Sequence, residues 1–159
     1  MLVLSYFFIF AAAIILQLTV IPLFSVQEVA PNLILIAVVS VTLLRGKVVG
    51  IMCGFFAGVC FDFFGTGFVG ISSLTNTLAA FIAGFWAGEQ FDRRMTIILG
   101  PLFASIFGHD FFYYNILRIG ASVGFWKTLF RHIFPNTVYT LVFMMMIYML
   151  LPKSPLGRR

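Results

Sequence analysis

Six polar side chains interrupt otherwise apolar stretches of this chain: Gln17, Asp62, Asn76, His109, Asp110 and Asn136. The adjacent pair His109-Asp110 has the residue types of a proton relay. The Asp, Asn and Gln side chains carry the donors and acceptors of interhelical hydrogen bonds or of a small-molecule site. Each is costly in apolar surroundings and needs a partner there. Three readings follow. Asp62 accepts from Asn76, His109 or Arg118 and the bond fixes helix register; or the polar layer is a notch for a partner; or it holds a small molecule or a proton. One His and two Asp do not make a transport pathway by themselves. Other chemistries lack their residues. His109 and His132 are far apart, no HExxH or CxxC occurs, and Cys53 and Cys60 have no His at ligand spacing. Ser72-Ser73 has no neighbouring base and reads as small packing residues at a helix start. Glycines here follow period four within a helix and do not form a phosphate loop. No enzyme activity, metal or cofactor is expected.

The elements that must carry these residues are set by composition. The 159 residues are 62% hydrophobic and 9% charged, against about 25% charged in an average soluble domain. A water-facing surface cannot be built from them. Six apolar segments lie near residues 3–24, 31–45, 48–65, 70–88, 95–114 and 131–151, most approaching the roughly 20 residues needed to cross a bilayer. The fold expected is a single all-α integral-membrane domain, residues 1–159, as a compact six-helix bundle. Pro31 opens the short second segment, where a missing N–H costs nothing, and Arg45-Gly46-Lys47 is a tight turn to the third. The first segment is too long for a signal core and reads as a retained span. Cys53 and Cys60, seven apart on one helix, are separated by about 10 Å along its axis and cannot pair.

Ten basic and five acidic residues give +5, but the basic residues fall between apolar segments, so topology explains them better than nucleic acid. With both termini cytoplasmic, Arg45, Lys47, Arg93, Arg94, Lys153, Arg158 and Arg159 lie inside and only Arg118, Lys127 and Arg131 outside. In that orientation Gln17, Asp62, Asn76 and His109 all reach a height of about 20 Å at 1.5 Å per residue. Asp110 follows directly and Asn136 lies slightly nearer the outer face, which makes one polar layer. Connection 115–130 is the longest; its Arg118, Trp126, Lys127 and Arg131 are candidates for lipid or partner contact. So is the cytoplasmic turn Glu89, Asp92, Arg93 and Arg94.

Small residues recur at spacing four along three helices. Gly46, Gly50, Gly54 and Gly58 lead to Asp62; Ser72, Asn76, Ala80, Gly84 and Gly88 form a second ridge; Thr96, Gly100, Ala104 and Gly108 form a third. In lipid such residues let backbones approach and gain dispersion contacts. Each ridge drifts by roughly 40° per step and winds around its helix.

Pro31-Asn32 followed by Leu33 and Leu35, the basic turn Arg45 to Lys47, the run Gly50-xxx-Gly54-xxx-Gly58-xxx-Asp62, and then Gly65, Gly67 and Gly70 resemble the signature region of the MreD family. The resemblance is specific over residues 31–88. It implies a non-enzymatic, rod shape-determining protein of the bacterial inner membrane, in the cell-elongation complex that controls peptidoglycan synthesis. The partners it implies are MreC directly, with MreB, RodA and its partner transpeptidase as complex members. It also implies a fold similar to the substrate-binding subunits of energy-coupling-factor vitamin transporters, which leaves a small-molecule uptake subunit as the alternative. Those subunits commonly dock through Ala-xxx-Ala in the first helix, whereas Ala11 and Ala12 here are followed four later by Ile15 and Leu16.

Overall fold

A computed structural model describes residues 2–25, 29–65, 69–87, 95–119 and 124–150. Its regular elements are helices: α1 (Leu2–Thr19), α2 (Leu33–Arg45), α3 (Lys47–Phe64), α4 (Ile71–Ala83), α5 (Met95–Leu117), α6 (Phe125–Thr128) and α7 (Phe134–Leu150). A 3₁₀ turn, Ile21–Phe24, follows α1, and a π turn, Leu129–Ile133, joins α6 to α7 without a break.

Asn32 sets the start of α2. Its Oδ1 accepts from the Leu35 amide at 2.9 Å, an N-cap that satisfies one of the orphan donors of the first turn. Pro31 therefore precedes the cap and does not open the helix. Its carbonyl accepts from Gln17 Nε2 at 3.2 Å, while Gln17 Oε1 accepts from the Leu33 amide at 2.7 Å. Gln17 thus straps the end of α1 to the entry of α2. The turn from α2 to α3 is a single residue, Gly46, at φ 96°, a left-handed conformation that a side chain would strain.

The glycine ladder forms the closest seam of the bundle. Gly50 abuts Thr42 of α2. Gly54 lies against the Asn76 carbonyl of α4, and Gly58 against the backbone of Ser72 and Ser73. The ridge thus turns from α2 toward α4 along α3, as a four-residue repeat on a 3.6-residue helix must. Ser73 Oγ donates across this seam to the Phe55 carbonyl at 3.1 Å. Two members of the expected packing set behave otherwise. Gly46 has open space at its Cβ position and serves the turn. Gly100 is exposed and also meets nothing within 4 Å; it precedes Pro101, whose ring crowds a Cβ on the preceding residue. The inward face of α5 instead carries Leu102, Ser105, Ile106, His109 and Asp110. Ala104 and Gly108 lie at its edge, Gly108 toward Ile82 of α4. Ala80 is fully buried and Gly84 adjoins the Lys47 side chain; Gly88 lies outside the described residues.

Polar side chains are buried among an apolar core, and large hydrophobic ones are exposed. Buried positions include Thr42, Ser105, Asn136, Thr137 and Thr140, while Phe7, Phe8, Phe56, Phe63 and Phe64 are exposed. Among the described residues, α3 meets the length and hydropathy of a membrane-crossing helix, and Tyr6–Thr19, Leu33–Arg45 and Ile71–Ala83 are shorter apolar helices. Thirteen residues of α2 span about 20 Å, roughly 10 Å less than a hydrocarbon core. Most of α2 is buried by its neighbours, which limits how much of it a bilayer would touch.

Candidate functional site

Asp62 departs from the expected polar layer. Its carboxylate accepts from the amides of Gly70 at 2.8 Å, Ser72 at 3.3 Å and Ser73 at 3.3 Å, and not from Asn76, His109 or Arg118. It caps α4 from the preceding helix, placing negative charge at the positive end of the α4 dipole. Gly70, at φ 102°, supplies the left-handed turn that aims those amides back at α3. The aspartate that ends the glycine ladder is a fastening between α3 and α4.

The other polar residues meet. Gln17, Asn76, His109, Asp110 and Asn136 line one cavity of about 140 Å³, drawn from α1, α4, α5 and α7. Its deep side holds Asn76 and Asp110, each 1% exposed, with His109 nearly as buried. Half-buried Tyr113 and Tyr114 lie at its edge. Asp110 is held from two sides: Thr137 Oγ1 donates to Oδ2 at 2.9 Å, and His109 Nδ1 lies 3.0 Å from Oδ1. The His109 ring stacks on Tyr113 with centroids 5.7 Å apart. Asn76 Oδ1 is buried without a hydrogen-bond partner among the described residues.

Sequence reasoning missed several of these contacts. Asn32, Thr137 and Thr140 serve the site's frame: the Asn32 amide donates to Thr140 Oγ1 at 3.4 Å, tying α2 to α7. The signal was available, since Asn136, Thr137 and Thr140 punctuate an apolar run at helical spacing. Tyr113 and Tyr114 also belong to the cavity, and Tyr114 stacks on His132.

Within the expected outer loop, residues 115–117 end α5 and residues 125–130 are helical. Trp126 and Lys127 lie on α6 and Arg131 in the π turn; all three are exposed, and Trp126 stacks on Phe130. Gly124, extended at the N-cap, was the missed start signal. Arg118, at the end of α5, lies over the Phe125 ring at 5.4 Å. Glu89, Asp92, Arg93 and Arg94 lie outside the described residues. Cys53 and Cys60 are free thiols on α3, and no group of three or more His, Cys, Asp or Glu suited to a metal occurs among the described residues.

Polar side chains buried beside an apolar core, under an exterior rich in exposed large hydrophobics and with small residues along a close seam, are the pattern of helical proteins whose solvent is lipid. The family model for rod shape-determining protein MreD matches residues 1–153. The chain belongs to the MreD family, and so to the rod shape-determining proteins of the bacterial inner membrane. No curated protein and no solved structure matches it.

Proposed function

We propose that this chain is a multi-pass, non-enzymatic scaffold of the bacterial cell-elongation complex, with six crossings and both termini cytoplasmic. In this reading it binds MreC and positions or regulates peptidoglycan synthesis, with MreB, RodA and its partner transpeptidase as complex members. The observation that carries the proposal is the backbone-to-backbone seam of α3 and α4, locked by Asp62. Such a seam makes a rigid body whose outer surface, among the described residues, is largely apolar side chain. A chain with so little mass outside its helices recognises partners through that surface and its short connections. The exposed Trp126, Lys127, Phe130 and Arg131 make a basic aromatic face suited to the membrane interface and a neighbouring span. Glu89 to Arg94 would serve the cytoplasmic side.

The test is recovery of MreC with the tagged chain from detergent-solubilised membranes. Recovery is expected with the parent and with exposed-surface controls, and a sharp fall with Gly58→Leu, which forces α3 from α4. Equal recovery with a folded Gly58→Leu protein would remove the seam from the scaffold.

The cavity favours a second reading, a small-molecule subunit of the vitamin-uptake type with a fold like the transporter subunits. Its size counts against that: about 140 Å³ is well below the roughly 300–1,000 Å³ of pockets for drug-sized ligands.

A further inference from the structure

We propose that the cavity between α1, α4, α5 and α7 binds a small, uncharged, hydroxyl-bearing group of about glycerol size. Three observations carry this. The first is Asn76 Oδ1, an acceptor on a cavity-lining side chain 1% exposed that finds no donor among the described residues. An orphaned buried acceptor costs about 1–3 kcal/mol, so a donor arriving from outside the chain gains what the fold leaves unsatisfied.

The second is the chemistry of the lining. None of the lining residues is Lys or Arg, and Asp110 is the acidic one, so an anionic group would enter unpaired beside a carboxylate. Nor does a purely donating ammonium fit. Both Asp110 oxygens are engaged, by Thr137 and His109, and Ser72 and Asn136 bring donors of their own to the cavity. A lining that mixes donors with acceptors matches a hydroxyl, which does both. The third observation is size. An apolar cavity of about 150 Å³ accepts a six-carbon ring, so one of about 140 Å³ holds roughly six non-hydrogen atoms. A three-carbon polyol has that many.

Two sources supply such a group: a free polyol, or the glycerol headgroup of a lipid. Either would enter past half-buried Tyr113 and Tyr114 and reach Asn76 at the deep side. The proposal is independent of MreC binding, so either can fail without the other.

The experiment is saturation-transfer NMR on the purified chain in an amine-oxide detergent, which has no hydroxyl headgroup, with glycerol as the probe. Transfer to glycerol is expected with the parent, weakened about tenfold in Asn76→Leu through loss of the acceptor and filling of the cavity. Tyr113→Leu, at the cavity edge, should weaken it too and decides the matter if Asn76→Leu does not fold. Displacement of glycerol by dihexanoyl phosphatidylglycerol identifies a lipid headgroup as the source; no displacement identifies a free polyol. The proposal is overturned by no transfer in the parent, by undiminished transfer in a folded variant, or by ethanolamine displacing glycerol. In the first case the cavity holds water alone, about four or five molecules.

Discussion

Adding one methyl group at Gly58 tests the seam more sharply than any other change. An alanine Cβ there would stand 2.5 Å from the Ser73 nitrogen and 2.7 Å from the Ser72 carbonyl carbon. Carbon contacts are comfortable at about 3.5–4.0 Å, so α3 and α4 must part by roughly 1 Å. The obstructing atoms are backbone and cannot rotate away. Overpacking of this kind costs about 1–3 kcal/mol. The same movement stretches the Asp62 bonds to Ser72 and Ser73, already at 3.3 Å, beyond useful reach, which adds about 1.5–3 kcal/mol for bonds to a charged group. Gly58→Ala should therefore lose about 2.5–6 kcal/mol in all. Gly54→Ala, facing the Asn76 carbonyl at 2.9 Å, should lose less. Cys60→Ala, exposed on the same helix, should stay within about 0.5 kcal/mol of the parent. Equilibrium unfolding in mixed micelles, followed by circular dichroism, measures all three. If Gly58→Ala unfolds together with Cys60→Ala, the close approach of α3 and α4 is wrong.

Three further outcomes follow from named contacts. Asp62→Ala strands the amides of Gly70, Ser72 and Ser73, and unfolding in mixed micelles should show a loss of about 2–4 kcal/mol. Lys47 Nζ sits 3.7 Å from the Phe81 ring centroid and 4.2 Å from that of Phe85. Lys47→Met should cost about 0.5–2 kcal/mol, and a double-mutant cycle with Phe81→Leu should show coupling; strict additivity would place the cation elsewhere. Asn32→Ala should cost about 1 kcal/mol as a lost cap. Because Gln17 holds the same entry through Pro31 and Leu33, Gln17→Ala and Asn32→Ala should combine non-additively in the same assay.

Much of the architecture was legible because apolar runs and helix stops are local. The small-residue ladder pointed to a seam, and its drift around α3 followed from helix geometry alone. What sequence could not supply was direction. Gly58 and Gly100 sit in ridges of identical spacing, yet one meets backbone and the other open space. A helix that is apolar on every side carries no mark of its inward face. Asp62 was expected in the polar layer from its height, but its partners are backbone amides, which have no residue code. The cavity residues converged because their heights were countable. The contribution of Asn32 and Thr140 escaped because it depends on which helices are neighbours.

Insertion in the membrane with an alternating path is the claim on which the scaffold rests, and impermeant-maleimide labelling of single cysteines in intact spheroplasts measures it directly. In a Cys53→Ala, Cys60→Ala background, Arg45→Cys and Trp126→Cys place thiols at exposed positions separated by α3, α4 and α5. Three crossings would put them on opposite faces, so Trp126→Cys should label from outside and Arg45→Cys only after the cells are opened. Labelling of both from the same side would contradict the six-crossing arrangement and the scaffold built on it.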